Sequence, residues 1–372
     1  MLSFPKITVQ IDLRKVARNF EILERIVCSV ERKKNGADVA AVVKADAYGL
    51  GAIKIAEKLT SVGCKSFFVA TLDEAISLRK GLVDCNPNIY ILHGIDNKEE
   101  AIACESHCLI PVLNNMYQVS VWDDCAKVLD KGLNAILHID TGLNRLGVNH
   151  SELLEFLENK PSGIKLEYVM SHLACAEEND NPRNREQLEL FVSYQEYFKD
   201  TKFSFANSSG VFLGAEYHFD LVRSGCALFG INPISGGDNP MLGVISATAR
   251  VIQKKVLERS GYIGYKNSHR AEAGTKCFVV SCGYADGYSR GLSNKGFCYA
   301  GGSYLPVVGI ISMDLVVFDA SKLSEEMFNS VKHVELLGDN IKIDEVAKHA
   351  GTISYEIIAT KFGKRCNRIY ID

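Results

Sequence analysis

Lys44 closes an otherwise apolar run in AVVKADAYGLGA, where the strand end offers its side chain little water. A desolvated ammonium loses proton affinity, and the neutral amine can add to a carbonyl and form an imine. The ordinary alternative is a lysine that snorkels from the strand end into solvent. Two later runs end on small and polar residues: Asn207 and Ser208 in FANSSG, and Gly225 and Cys226 after Arg223 in LVRSGCALFG. Backbone N–H groups beside a hydroxyl at such ends can hold an anion. His172 in MSHLA and Tyr284 in CGYADG are further titratable groups, although each alone reads as an ordinary strand residue.

Positioning these side chains requires regular elements. Between residues 38 and 230, eight short runs rich in Val, Ile and Phe begin near residues 38, 66, 88, 109, 134, 165, 202 and 221. Segments of helical period lie between them; GAIKIAEKLTSVG, for example, sets Ile53, Ala56, Leu59 and Val62 on one stripe. Apolar strands joined by amphipathic helices predict a parallel sheet covered on both faces. Eight such units predict an α/β fold closed as a (β/α)8 TIM barrel, with an open doubly wound sheet as the alternative. Functional side chains of a barrel stand at the C-terminal strand ends, which is where Lys44, Asn207 and Gly225 fall.

The texture changes after about residue 236, where GGDNPMLG gathers Gly, Asp, Asn and Pro. Short strand-like runs separated by turns follow. The expected organisation is a barrel over residues 1–236 and a C-terminal, mostly β domain over 237–372, with one late helix near IDEVAKHAG. The run KITVQIDL precedes the barrel's first helix and is compatible with either domain.

The 372 residues are 47% hydrophobic and 23% charged, and 42 Lys+Arg against 45 Asp+Glu leave a net charge of -3. With no long basic block, nothing points to nucleic acid or an anionic membrane, so small molecules are the expected partners. No apolar stretch reaches a membrane span, and Pro5, Lys6, Asp12 and Arg14 interrupt the region a signal peptide would need. Twelve scattered cysteines without a CxxC pair read as reduced thiols, so a cytoplasmic protein without a metal site is expected.

The string KADAYGLGA resembles the pyridoxal-phosphate lysine motif of the alanine racemase family. HIDTGLNRLG, MSHLACAEE, FANSSG, LVRSGCALFGINP, CGYADGYSR, ISMDL and ISYE resemble further landmarks of that family, in order along the whole chain. The resemblance implies that Lys44 carries pyridoxal 5'-phosphate and that Tyr48, Asn207, Ser208, Gly225, Cys226 and Tyr355 serve its phosphate. It implies that Arg223 faces the pyridine nitrogen, with His172 beside the ring and hydrogen-bonded to that arginine. Arg145 and the backbone of Met313 match the substrate carboxylate pocket, with Asp314 adjacent. Tyr284 matches a second base that reaches the site from the partner subunit of a homodimer.

Racemisation needs two acid/base groups on opposite faces of a planar intermediate, and Lys44 and Tyr284 fill those roles in the resemblance. The expected function is interconversion of L- and D-alanine. The alternatives are a racemase of broader amino-acid range, a barrel that binds the cofactor without catalysis, and a decarboxylase, which Arg223 disfavours. One departure stands out: many members carry a carbamylated lysine where this chain has His138. Either an anion such as chloride or another side chain then orients Arg145, or Arg145 is held differently. Leu50 and Ser312 also depart from residues common in the family.

Overall fold

The computed structural model describes residues 7–28, 36–83, 85–361 and 366–372. The described residues open with strand β1 (Ile7–Asp12) and a helix over Leu13–Cys28 whose Val16, Phe20, Leu23 and Val27 are buried. Eight parallel strands follow: β2 (Asp38–Val42), β3 (Ser66–Val69), β4 (Asn88–Ile91), β5 (Ile110–Leu113), β6 (Leu133–His138), β7 (Ile164–Met170), β8 (Lys202–Ser204) and β9 (Leu221–Ser224). Each pairs with the next, and β9 closes on β2 through Asp38↔Leu221 to Ala41↔Ser224. All eight apolar runs are therefore strands of one closed barrel, and the open sheet is excluded.

Burial on two sides explains why the runs are apolar rather than alternating. One set of side chains, including Ala40, Phe68, Tyr90, Val112, Ile136 and Tyr168, fills the interior, with Phe68 and Tyr90 stacked at 4.6 Å. The other set, such as Phe67, Ile89, Leu113 and Val169, packs outward against the helices. Four helices start directly after a strand loop because Thr71, Asn97, Asn115 and Asn149 accept the third-residue N–H of their first turns. Each such cap contributes about 1 kcal/mol.

Beyond the barrel, β10 (Ile245–Val256) is a twelve-residue ribbon that anchors the C-terminal sheet. It pairs antiparallel with Lys276–Val280 and with His333–Leu337. β1 also pairs with β10, and it runs parallel to the last strand, Asn367–Ile371. The amino-terminal run is thus part of the second sheet, and it stitches the two ends of the chain together. The single late helix expected there exists as Ile343–Ala350, but Glu325–Ser330 and Ser354–Lys361 are helical as well. The first of these is started by Ser324, whose hydroxyl accepts the N–H of Met327. The first has only six residues, and the second, although as long as Ile343–Ala350, does not gather its apolar residues on one face.

Candidate active site

A cavity of about 700 Å³ opens at the C-terminal ends of the barrel strands, and Lys44, Tyr48, Arg145, His172, Asn207, Ser208, Arg223, Gly225, Cys226 and Tyr355 all line it. Val43 alone separates Lys44 from the end of β2. Burial lowers its proton affinity, Arg145 lowers it further, and Glu74 opposes both. The chain leaves Lys44 through a left-handed turn in which Ala45, Asp46, Ala47 and Tyr48 all have φ between 52° and 56°. That conformation disfavours residues with a Cβ by roughly 1–2 kcal/mol each. Two hydrogen bonds hold it: from another element, Glu74 Oε1 accepts the N–H of Ala45 at 2.7 Å, and from the turn itself, Asp46 Oδ1 accepts that of Ala52 at 2.8 Å.

Arg223 leaves β9 into the barrel mouth and is 4% exposed. Its Nη1 donates to Ser204 Oγ at 2.6 Å, and its Nη2 donates to the carbonyls of Ser171 and Phe205 at 2.6 and 3.3 Å. Desolvation brings its pKa down to about 10, so it remains a cation at neutral pH. Its Nη2 also lies 3.4 Å from His172 Nδ1. A guanidinium only donates, so Nδ1 accepts and the imidazole proton sits on Nε2. Burial, followed by the charge of Arg223, holds His172 well below the ordinary histidine range and hence neutral.

An anion cradle forms where β8 and β9 end. Ser208 Oγ accepts the N–H groups of Gly225 and Ala227 at 2.9 and 3.3 Å, and Asn207 Oδ1 accepts that of Gly210 at 2.9 Å. Gly225 is required by space, since a Cβ there would sit 2.4 Å from the hydroxyl of Tyr48. The Tyr48 ring packs 5.0 Å from Phe229 and 6.2 Å from Tyr355. Tyr355 Oη lies 3.1 Å from Cys226 Sγ and donates to Glu177 Oε1 at 3.0 Å. Burial raises the proton affinity of both tyrosines, so they stay hydroxyl donors.

Arg145 stands on the loop after β6. Asp140 shapes that loop by accepting the N–H groups of Gly142, Leu143 and Asn144 at 2.8–3.2 Å. His138, at the end of β6, is buried and held neutral with a pKa of about 3, chiefly by desolvation. Its Nδ1 is 2.8 Å from Asn114 Oδ1, which can only accept, so Nδ1 carries the proton. The residue in the carbamylated-lysine position is therefore an uncharged imidazole oriented by Asn114, and it brings no negative charge to Arg145.

Tyr284 and Met313 are not among the residues that line the cavity. They lie together on the C-terminal domain, where Ala285 donates to the Met313 carbonyl at 3.0 Å and Tyr284 donates to that of Ser312 at 3.2 Å. Gly283 allows this approach, because a Cβ would meet the Met313 carbonyl oxygen at 2.3 Å. Both side chains face outward, 44% and 53% exposed, and Asp314 beside them is also exposed.

Sequence reasoning missed Glu74, Glu177, Ser204 and Asn114. Glu74 has a visible signal, the Thr-x-x-Glu pattern at 71–74, but that pattern points to a helix cap rather than to Lys44. Among the described residues, no cluster of three or more His, Cys, Asp or Glu side chains could hold a metal. None of the described helices is long and apolar enough to cross a membrane.

A barrel whose mouth joins a desolvated lysine, a buried arginine and an anion cradle defines a class of lysine-dependent barrel enzymes that bind a phosphorylated carbonyl compound. Family comparison narrows the class: residues 11–233 match the alanine racemase N-terminal domain and residues 244–370 the C-terminal domain. The chain belongs to the alanine racemase family. It is 42% identical to an alanine racemase of Rickettsia bellii over 335 residues, 89% of this chain and 81% of that one. A catabolic alanine racemase of Agrobacterium fabrum is 41% identical, covering 89% and 85%. The alanine racemase of Bartonella henselae, solved with covalently bound pyridoxal phosphate, superposes with a TM-score of 0.90 at 36% identity, covering 99% of this chain and 100% of that one.

Proposed function

We propose that this chain is a pyridoxal 5'-phosphate-dependent alanine racemase that works as a homodimer in the cytoplasm. The observation that carries the reading is Lys44, desolvated and depressed in proton affinity, in one cavity with Arg223 and the Ser208–Gly225 cradle. These residues fit the cofactor. Lys44 would hold its aldehyde carbon; Tyr48, Asn207, Ser208, Gly225, Cys226 and Tyr355 would hold its phosphate. When bound, the cofactor supplies an electron sink that lets the substrate's α-hydrogen leave as a proton.

The chain's own groups set the outcome. Arg223 can donate but not accept, so it would keep the pyridine nitrogen unprotonated, weaken the sink and limit side reactions. Neutral His172, held by Arg223, adds no second positive charge beside it. Lys44 Nζ moves a proton on one face, and Tyr284 Oη of a second copy moves one on the other. Arg145 and the Met313 N–H bind the substrate carboxylate. We read the barrel as ending near residue 236 and the β domain as following from 237, with β1 contributed to the second sheet.

Chiral analysis after incubation of the cofactor-loaded protein with L-alanine should show an equimolar mixture of enantiomers. Lys44→Ala should abolish both the conversion and the absorbance of the lysine-bound cofactor. Absence of D-alanine from the loaded wild-type protein overturns the reading.

A further inference from the structure

Glu74 is the third residue of the helix Leu72–Gly81, and its N–H is accepted by the N-cap Thr71 at 3.3 Å. In a Thr-x-x-Glu capping box the glutamate turns back to the N–H of the cap residue itself. The helix His150–Asn159 does this, with Glu152 Oε2 accepting Asn149 N at 2.9 Å. Glu74 is diverted. Its Oε2 accepts the N–H of Ala70, just past β3, at 2.8 Å, and its Oε1 reaches across to accept that of Ala45 at 2.7 Å. One carboxylate thus bridges two strand ends, and one of its partners is the amide next to Lys44. Ala45 is also the first residue of the left-handed turn, an unfavourable conformation that needs an external hold.

We propose that Glu74 is a positioning residue for Lys44. By gripping the N–H of Ala45 it fixes the direction in which the lysine side chain leaves β2, and its charge restores part of the proton affinity that burial and Arg145 remove. This rests on the reading of Lys44 as the lysine that carries the cofactor.

The test follows covalent attachment of pyridoxal 5'-phosphate to the cofactor-stripped full chain by absorbance across pH. In this step the neutral amine adds to the aldehyde carbon and one water leaves. Wild type is compared with Glu74→Gln, Glu74→Ala, Thr71→Ala and Lys44→Ala. Glu74→Gln removes the charge and leaves one acceptor oxygen, enough for the Ala45 N–H but not for that of Ala70 as well, so the pH midpoint of attachment should fall by about half a unit to one unit. Glu74→Ala should show the same fall and, having also lost the grip on Ala45, a plateau rate reduced by about tenfold.

Thr71→Ala weakens the same helix without touching Ala45, and should leave midpoint and plateau unchanged. Unchanged midpoints in both Glu74 variants, or an equal shift in Thr71→Ala, would reduce Glu74 to a helix cap and overturn the proposal. Attachment that survives Lys44→Ala overturns the assignment of Lys44 and this inference with it. That outcome is distinguishable from attachment that depends on Lys44 yet ignores Glu74.

Discussion

His138 carries its imidazole into the barrel mouth uncharged, and that choice shows up in stability when the solution is acidified. Its folded pKa of about 3 lies far below the unfolded value near 6.5, because burial disfavours the cation and Arg223 repels it. Between those values the unfolded chain binds more protons than the folded one, so stability is whole above pH 6.5 and declines as pH falls toward 3. His172 is displaced in the same direction and adds to the decline. For His138 alone the loss between pH 7 and pH 5 amounts to about 2 kcal/mol. Denaturant unfolding at those two pH values should therefore show His138→Asn losing about 2 kcal/mol less than wild type, whatever its stability at pH 7. Equal losses would mean that the native imidazole titrates like an exposed one.

At the scale of elements, the left-handed turn after Lys44 reverses the usual rule for glycine. An Ala→Gly change inside a right-handed helix is destabilising by about 1 kcal/mol. At Ala45, φ is 52° and the methyl group is exposed, so glycine relieves roughly 1–2 kcal/mol of strain and loses no packing, against an entropic penalty of about 0.5–1 kcal/mol. Ala45→Gly should leave the protein equally stable or raise its stability by up to about 1 kcal/mol, measured by denaturant unfolding. A loss of 1 kcal/mol or more would show that the turn is not left-handed in solution. Nothing in KADAYG announces this conformation, since Ala, Asp and Tyr are imposed upon by Glu74 from another element and by packing against Phe229. The barrel strands were legible for the opposite reason: burial on two faces writes itself into composition as runs such as SFFV and IPVL. β1 was not assignable, because its partners lie more than 200 residues away and its own alternation suits either sheet.

At the scale of the whole molecule, the cavity and the exposed pair Tyr284–Met313 pose one problem from two sides. The motifs KADAYG and CGYADG could be read from the sequence, but whether their residues meet within one chain is a question of assembly that local pattern does not encode. In this chain the cavity gathers ten of the anticipated residues, while Tyr284 and Met313 stand outside it with their side chains in solvent. A two-fold dimer would let each copy present that pair to the cavity of the other, since such an interface repeats every contact in both directions. Mixing two inactive variants tests this arrangement. Lys44→Ala and Tyr284→Phe chains, unfolded and refolded together, would form heterodimers in which one of the two sites receives Lys44 from one copy and Tyr284 from the other. With random pairing, activity should return to about a quarter of the wild-type level, although neither variant is active alone. If Lys44 and Tyr284 instead served one site from the same chain, every site in the mixture would lack one of them and no activity would return. The recovered fraction should also fall on dilution, because the intact site exists only while two copies hold together.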